Sequence, residues 1–264
     1  MQFKEKENYG FDDLVAIMEL LRAPGGCPWD REQNHKTIRN NLIEETYEAI
    51  EAIDTDNMEL LREELGDVLL QVVFHSRISE ENGGFNINDV ADEVCKKLIV
   101  RHPHVFGDVI AETSEKVLKN WDEIKKSRKN QTTQKQVMDS ISLSLPALIR
   151  ADKIGKKAAK VGFDFADAKG ALEKVTEETA EVTRAIEHND IQNIKEEIGD
   201  LLFSVVNLAR KLGVDSEEAL YGANAKFVNR FGKVETLAQE RGIEMNAENM
   251  KKLDKIWEEI KTND

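Results

Sequence analysis

Glu44-Glu45-Thr46-Tyr47-Glu48, with Glu64-Leu65-Gly66-Asp67 downstream of it, decides how this chain is read. Glu45 and Glu48 are three residues apart, so a helix puts them on one face, and the same holds for Glu64 and Asp67. Midway between Glu48 and Glu64 lies Asp56, inside the polar run Asp54-Thr55-Asp56-Asn57. A helix pair folded at that run brings the two carboxylate pairs to the same level. At about 1.5 Å per residue, each pair sits about 10 to 12 Å from the turn.

The stretch then returns. Glu177-Glu178-Thr179-Ala180-Glu181 and Glu197-Ile198-Gly199-Asp200 stand 133 residues further on, and their midpoint falls in His188-Asn189-Asp190. Other blocks return in the same order. Trp29-Asp30 matches Phe163-Asp164 at a shift of 134, and Lys97 and Arg101 match Lys226 and Arg230 at 129. Trp121-Asp-Glu-Ile-Lys125 matches Trp257-Glu-Glu-Ile-Lys261 at 136. Ordered blocks at a nearly constant offset mark a duplicated domain. The reading is a first domain over 8–125, a polar linker over 126–139 and a second domain over 140–264.

Apolar spacing makes both domains helical. Phe11, Leu14, Val15, Met18 and Leu21 form one stripe, stopped by Pro24-Gly25-Gly26. A second stripe runs from Ile38 to Ile53. A third, from Met58 to Ile78, is apolar almost all round and predicts a helix buried on most sides. A fourth covers Ile87 to Val100, and a last surrounds Trp121 and Ile124. With four prolines among 264 residues, the fold class expected is all-α.

The composition narrows the functions. A net charge of -14 argues against nonspecific binding of nucleic acid or anionic membranes. No apolar run is long enough to span a membrane, and Met1 to Gly10 lacks the apolar stretch of a signal peptide. Cys27 and Cys95 have no zinc-site partners at useful spacing, so reduced thiols in a cytoplasmic protein are expected.

Four carboxylates facing one another on an apolar helix pair are costly unless a cation joins them. Glu45, Glu48, Glu64 and Asp67, and again Glu178, Glu181, Glu197 and Asp200, are therefore candidate metal ligands. The alternative is a solvated acidic face. An all-oxygen set suits Mg²⁺ or Mn²⁺ better than Zn²⁺. A di-iron bundle needs two Glu-x-x-His motifs, and Glu32-x-x-His35 has no counterpart in the second half. Gly66 and Gly199, costly inside helices, suggest close approach of a neighbouring helix or ligand. Lys226 and Arg230 share a helix face suited to phosphates, or to plain solvation. Trp257 suits stacking on a base, or core packing. His102 and His104 flank Pro103, where a turn is the safer reading than a metal pair. There is no P-loop.

These residues resemble the MazG family of nucleoside triphosphate pyrophosphohydrolases. The resemblance rests on Glu-Glu-x-x-Glu with Glu-x-x-Asp, on Gly26-Cys27-Pro28-Trp29-Asp30 and on Arg101-His102-Pro103-His104-Val105-Phe106, and it covers nearly the whole chain. The carboxylate motif alone also admits all-α dUTPases and phosphoribosyl-ATP pyrophosphohydrolases. The resemblance implies an all-α fold, a homodimer, Mg²⁺ and cleavage of NTP or dNTP to NMP or dNMP and pyrophosphate. It also implies that the second domain carries most of the activity. Glu178, Glu181, Glu197 and Asp200 would hold Mg²⁺, and Lys226, Arg230, Trp257 and Lys261 would contact the nucleotide. Glu181, helped by Glu178, is the carboxylate expected to orient the attacking water. In the first half His102-Pro103-His104 follows Lys97 and Arg101 and breaks the helix that would present them. The rival reading is a nucleotide-binding regulatory protein without turnover, or a docking partner in a toxin–antitoxin or stress circuit.

Overall fold

The computed structural model describes residues 4–107, 113, 116, 117, 120, 121, 124 and 131–263. Among the described residues every regular element is a helix. The chain divides into two compact units, Met1–Lys125 and Lys126–Asp264.

In the first unit, α1 spans Phe11–Arg22, α2 Pro28–Glu32, α3 Arg39–Asp54, α4 Met58–Glu81, α5 Ile87–Arg101 and α6 Pro103–Phe106. Trp121 and Ile124 are helical as well. Helices α3 and α4 form the hairpin that the carboxylate spacing predicts. Its turn rests on Asp56, at φ 52°, a left-handed conformation that a short polar side chain tolerates. Asn57 then caps α4 by accepting the Leu60 N–H at 3.1 Å. Met18 of α1, Ile38, and Val73, Phe74 and Ile78 of α4 make the core. The Arg22 guanidinium lies 5.3 Å from the Phe74 ring centroid and forks onto Glu81. Pro103 ends α5 at Arg101, as expected, and opens α6.

The expectation that α4 is buried on most sides fails within one chain. Met58, Leu65 and Leu69 are exposed, because α1 covers only the far half of the helix and α3 only one flank.

In the second unit, α7 spans Gln134–Asp139, α8 Ala147–Ala159, α9 Ala168–Glu187, α10 Ile191–Leu212, α11 Ser216–Glu240 and α12 Met250–Asn263. Helix α7 falls within the segment 126–139 expected to be a linker; residues 126–130 of that segment lie outside the described residues. Thr133 and Gln136 cap α7 reciprocally, Val137 is buried, and the Gln134 side chain donates to the Lys157 carbonyl at 2.6 Å. One buried anchor in a six-residue helix is too short a pattern to show periodicity. Helices α9 and α10 repeat the hairpin, with Asn189 at φ 51° and Asp190 accepting the N–H groups of Gln192 and Asn193. Helix α11 runs unbroken past Arg230 and packs on α12 through Val234, Ala238, Leu253, Ile256 and Ile260.

Among the described residues, a Cβ on Gly66 or Gly199 would meet nothing within 4 Å, so no described helix approaches either glycine closely.

Candidate functional site

Each hairpin gathers carboxylates as the helical spacing requires, but three at a time and not the same three. In the first unit, ligand atoms of Glu45, Glu48 and Glu64 lie within 4.8 Å of one another. In the second, the trio is Glu178, Glu197 and Asp200. Glu64 and Glu178, one per unit, are buried.

The fourth carboxylate of each set stays electrostatically close. Asp67 and Glu48 help burial raise Glu45 above the ordinary glutamate pKa, and Glu48 and Asp67 do the same for Glu64. In the second unit burial, then Glu181, Glu178 and Asp200, raise Glu197. These are the marks of like charges crowded together.

The second hairpin carries its own counter-charges. Lys174 reaches Glu178 at 2.5 Å and Glu177 at 3.0 Å, which holds the ammonium well above its ordinary pKa. Arg184 holds Glu181 at 3.0 Å, and this contact keeps company with Glu181's place outside the trio. At the matching positions the first hairpin has Asn41 and Glu51.

Beside the second trio opens a cavity of about 730 Å³. Glu178, Asp200 and Lys174 line one part of it; Phe163, Ser204, Asn207 and Arg210 line another. Gly155 of α8 lets that helix approach Asn207 closely at the cavity wall, since a Cβ there would come within 2.7 Å of Asn207 Oδ1. The Arg210 guanidinium forks onto Asp164, donates to Asn207 Oδ1 and, with Lys211, holds the Asp164 carboxyl well below the usual range. Phe163 stands at the cavity, 81% exposed.

The remaining sequence-derived candidates sit elsewhere. Lys226 is exposed on α11 and Arg230 half-buried on the same helix. Trp257, expected to stack on a base or to pack, is partly buried against the α11–α12 core, 5.2 Å from the Phe227 ring. Lys261 pairs with Glu258 at 3.2 Å. His102 sets its ring edge-on to Trp121, and its Nδ1 lies 2.6 Å from the Leu98 carbonyl; among the described residues it joins no metal-binding group.

Sequence reasoning missed Lys174, Ser204, Asn207 and the Asp164–Arg210 pair. The signal available was the repeat itself. Aligned at 133 residues, Asn207 replaces Phe74, and a polar-for-apolar exchange inside a helix core marks a changed environment, while Ser204 shortens the buried Gln71.

Fold and site define a tandem all-helical protein in which each copy presents a carboxylate cluster on a helical hairpin. Residues 33–106 and 167–234 match the MazG nucleotide pyrophosphohydrolase domain, and the chain belongs to that family. It is 47% identical over 254 residues to the nucleoside triphosphate pyrophosphohydrolase/pyrophosphatase MazG of Thermotoga maritima, covering 96% of each chain. Identity to the nucleoside triphosphate pyrophosphohydrolase of Escherichia coli K12 is 45%, covering 95% of this chain and 96% of that one. The nucleoside triphosphate pyrophosphohydrolase of Mycobacterium tuberculosis is 43% identical over 154 residues, 57% of this chain and 45% of that one.

Proposed function

We propose that this chain hydrolyses nucleoside triphosphates to monophosphates and pyrophosphate with Mg²⁺, in its second unit. The observation that carries the reading is the cavity that opens directly onto Glu178 and Asp200. It offers room for a nucleoside beside a cluster suited to a phosphate-bound cation.

The donor set fits the ion. All the clustered atoms are carboxylate oxygens, and the crowding that raises Glu197 is what a divalent cation relieves. Glu178, Glu197 and Asp200 would hold Mg²⁺, with Mn²⁺ as a substitute. A bound ion supplies Lewis-acid polarisation of the phosphate and a more acidic water. Glu181, outside the trio, keeps a carboxylate oxygen for orienting that water. Lys174, which reaches Glu178, lines the cavity and would face the phosphates of a bound nucleotide. Lys226 and Arg230 extend the cationic side, and the exposed Phe163 offers a face to the base.

The reading includes a homodimer. Leu202, Leu220, Phe227 and Val228 of the second unit, and Leu65, Leu98 and Ile99 of the first, are exposed apolar side chains on helices, more than a lone monomer usually leaves to water. The setting inferred is cytoplasmic, consistent with two free cysteines and with no described helix long and apolar enough to cross a membrane.

The test is a panel of ribo- and deoxynucleoside triphosphates, including noncanonical bases, with products resolved by chromatography. NMP and pyrophosphate should appear with Mg²⁺ or Mn²⁺ and cease in EDTA. Binding without turnover across the panel would favour the regulatory rival, and NDP with orthophosphate would overturn the cleavage site. Light scattering at micromolar concentration should give twice the chain mass; a monomer counts against the assembly.

A further inference from the structure

Much of the wall of the cavity beside Glu178 and Asp200 lies ahead of the matched segment 167–234. Gly155, Phe163 and Asp164 come from α8 and the turn after it, and Met138 comes from α7. Helix α7 is fixed in place although it has only six residues. Its start is over-determined. Gln136 Oε1 accepts the N–H groups of Thr132 and Thr133 at 2.8 and 3.1 Å, and Thr133 Oγ1 accepts the Gln136 N–H at 3.2 Å. At 3.6 residues per turn Gln134, Val137 and Met138 fall within about 100° of one another, on one face of the helix. That face meets the rest of the unit. The Gln134 side chain donates to the Lys157 carbonyl at 2.6 Å, Val137 is buried, and Met138 lines the cavity. Just past the helix Ile141 is buried as well, and its N–H donates to the Met138 carbonyl at 3.0 Å. A flexible joining segment needs none of these attachments.

The cavity combines two chemistries. Lys174, Glu178 and Asp200 are charged, whereas Met138, Phe163 and Phe203 are apolar. Phosphates drawn to the charged groups leave the base to the apolar wall. Among those apolar side chains Met138 is the adaptable one. It is unbranched and polarisable, so it repacks against rings of different outline, and its sulfur makes favourable contacts with aromatic edges. It also reaches the cavity from outside the α9–α10 hairpin, so a change at Met138 alters the space for a base without touching a carboxylate.

We propose that Met138 determines which bases the site accepts, as an adjustable wall against the base, and that Gln134 is the positioning residue that holds α7 in place for it. This rests on the nucleoside triphosphate site proposed above and assigns to it the residue that sizes the base.

The test is steady-state kinetics of the full chain on ATP and CTP, which share a sugar and an amino group and differ chiefly in the number of rings. Met138→Trp should raise KM for ATP about tenfold or more, raise KM for CTP less than about threefold and leave kcat within about twofold, as when room for a base rather than chemistry is lost. Met138→Leu conserves volume and should return the ATP to CTP ratio of KM values to that of the parent chain. Gln134→Leu should raise both KM values about fivefold with kcat retained, because it loosens the wall without filling the space. Should Met138→Trp misfold by circular dichroism, Met138→Phe must shift the ratio in the same direction by about threefold. A ratio that the Trp or Phe variant leaves unchanged, whether both KM values stay or rise together, overturns the proposal. So does an effect of these variants confined to Tm, the sign of a side chain that only packs α7. Unaltered KM values in Gln134→Leu overturn the positioning role. If the parent chain turns over neither nucleotide, the catalytic reading falls by itself, and calorimetric titration with ATP and CTP then reads the same ratio from dissociation constants: a shift in Met138→Trp supports the assignment, and no shift overturns it.

Discussion

Phe74 and Asn207 occupy the same register of the same helix in the two halves, and the halves diverge around them. In the first, Phe74 closes an apolar cluster with Met18, Val73 and Ile78, and Arg22 lies over its ring. In the second, Asn207 packs closely on Gly155 at the wall of a cavity, and its carboxamide is tied to Arg210. The hairpin, its turn and its carboxylates are common to both. What differs is whether the space beside the carboxylates is spent on stability or kept for a ligand. A duplicated scaffold can diverge in that way without moving any backbone element, because cavity and core are alternative fillings of one volume.

The sharpest way to break the comparison is to remove one clustered charge from each half. Glu178→Gln should lower kcat/KM for a triphosphate by about a thousandfold, the scale of losing one electrostatic group at a reacting centre. Glu45→Gln, its counterpart, should cost less than about threefold, since the site it serves is separate from the cavity that carries the proposed turnover. Steady-state kinetics on one nucleotide decides it. Equal losses, or a greater loss from Glu45→Gln, would put the active site in the wrong half.

The cavity itself can be filled. Gly155→Leu places atoms where a Cβ alone would meet Asn207 at 2.7 Å and Arg210 at 3.0 Å. It should raise KM about tenfold or more with a smaller change in kcat, as expected when nucleoside binding rather than chemistry is obstructed. Circular dichroism checks that the helices survive. A variant with unaltered KM would mean that the nucleoside lies elsewhere.

These contrasts show what the sequence could and could not disclose. The hairpins were legible because carboxylates at a spacing of three interrupt apolar helices, and because the polar midpoints at Asp56 and Asn189 are the residues that take up the left-handed turn. Pro103 was legible as a helix stop for the same local reason. The cavity was not, because it depends on Gly155, Phe163 and Asn207, which are distant in sequence and lack any spacing of their own. Nor was the difference between the trios, beside which Lys174 and Arg184 stand as counter-charges on a face that looks simply charged. Trp257 is a residue type fit for stacking or for packing, and its partly buried place against the α11–α12 core depends on tertiary contacts that spacing does not show.

The turns give a smaller, structural comparison. Asp190 accepts two backbone N–H groups and Asn57 one. Asp190→Ala should cost about 1 kcal/mol and Asn57→Ala somewhat less, the usual range for a lost helix cap. Thermal melts of the two variants against the parent chain measure this, and a larger loss from Asn57→Ala would reverse the ranking of the two caps.

The smallest effect probes the missing counter-charge. Glu51 stands where the second unit has Arg184, so Glu51→Arg gives Glu48 the cation that Glu181 already has. In the Arg184–Glu181 pair that it copies, Arg184 is exposed and Glu181 partly so, and a surface pair at this spacing contributes only about 0.3 to 0.5 kcal/mol. Its sign and pH dependence are nevertheless specific. Burial, with Glu48 and Asp67, raises the folded-state pKa of Glu64 above the ordinary 4.5, and Glu45 is raised likewise. A group raised on folding contributes stability while it is protonated in both states, below about 4.5, and that contribution is lost as pH climbs through the raised value. In EDTA the chain should therefore lose stability from the carboxylate clusters as pH rises from 4.5 toward neutrality. Mg²⁺ restores it, so the Mg²⁺-induced rise in Tm should be near zero at pH 4 and grow toward pH 7. Glu51→Arg should raise Tm slightly in EDTA and shrink the Mg²⁺-induced rise by a similar amount, because the new cation does in the absence of metal part of what the metal does. A Mg²⁺ effect that is constant across pH, or one that Glu51→Arg enlarges, would mean that charge crowding at Glu45, Glu48 and Glu64 is not what the ion relieves.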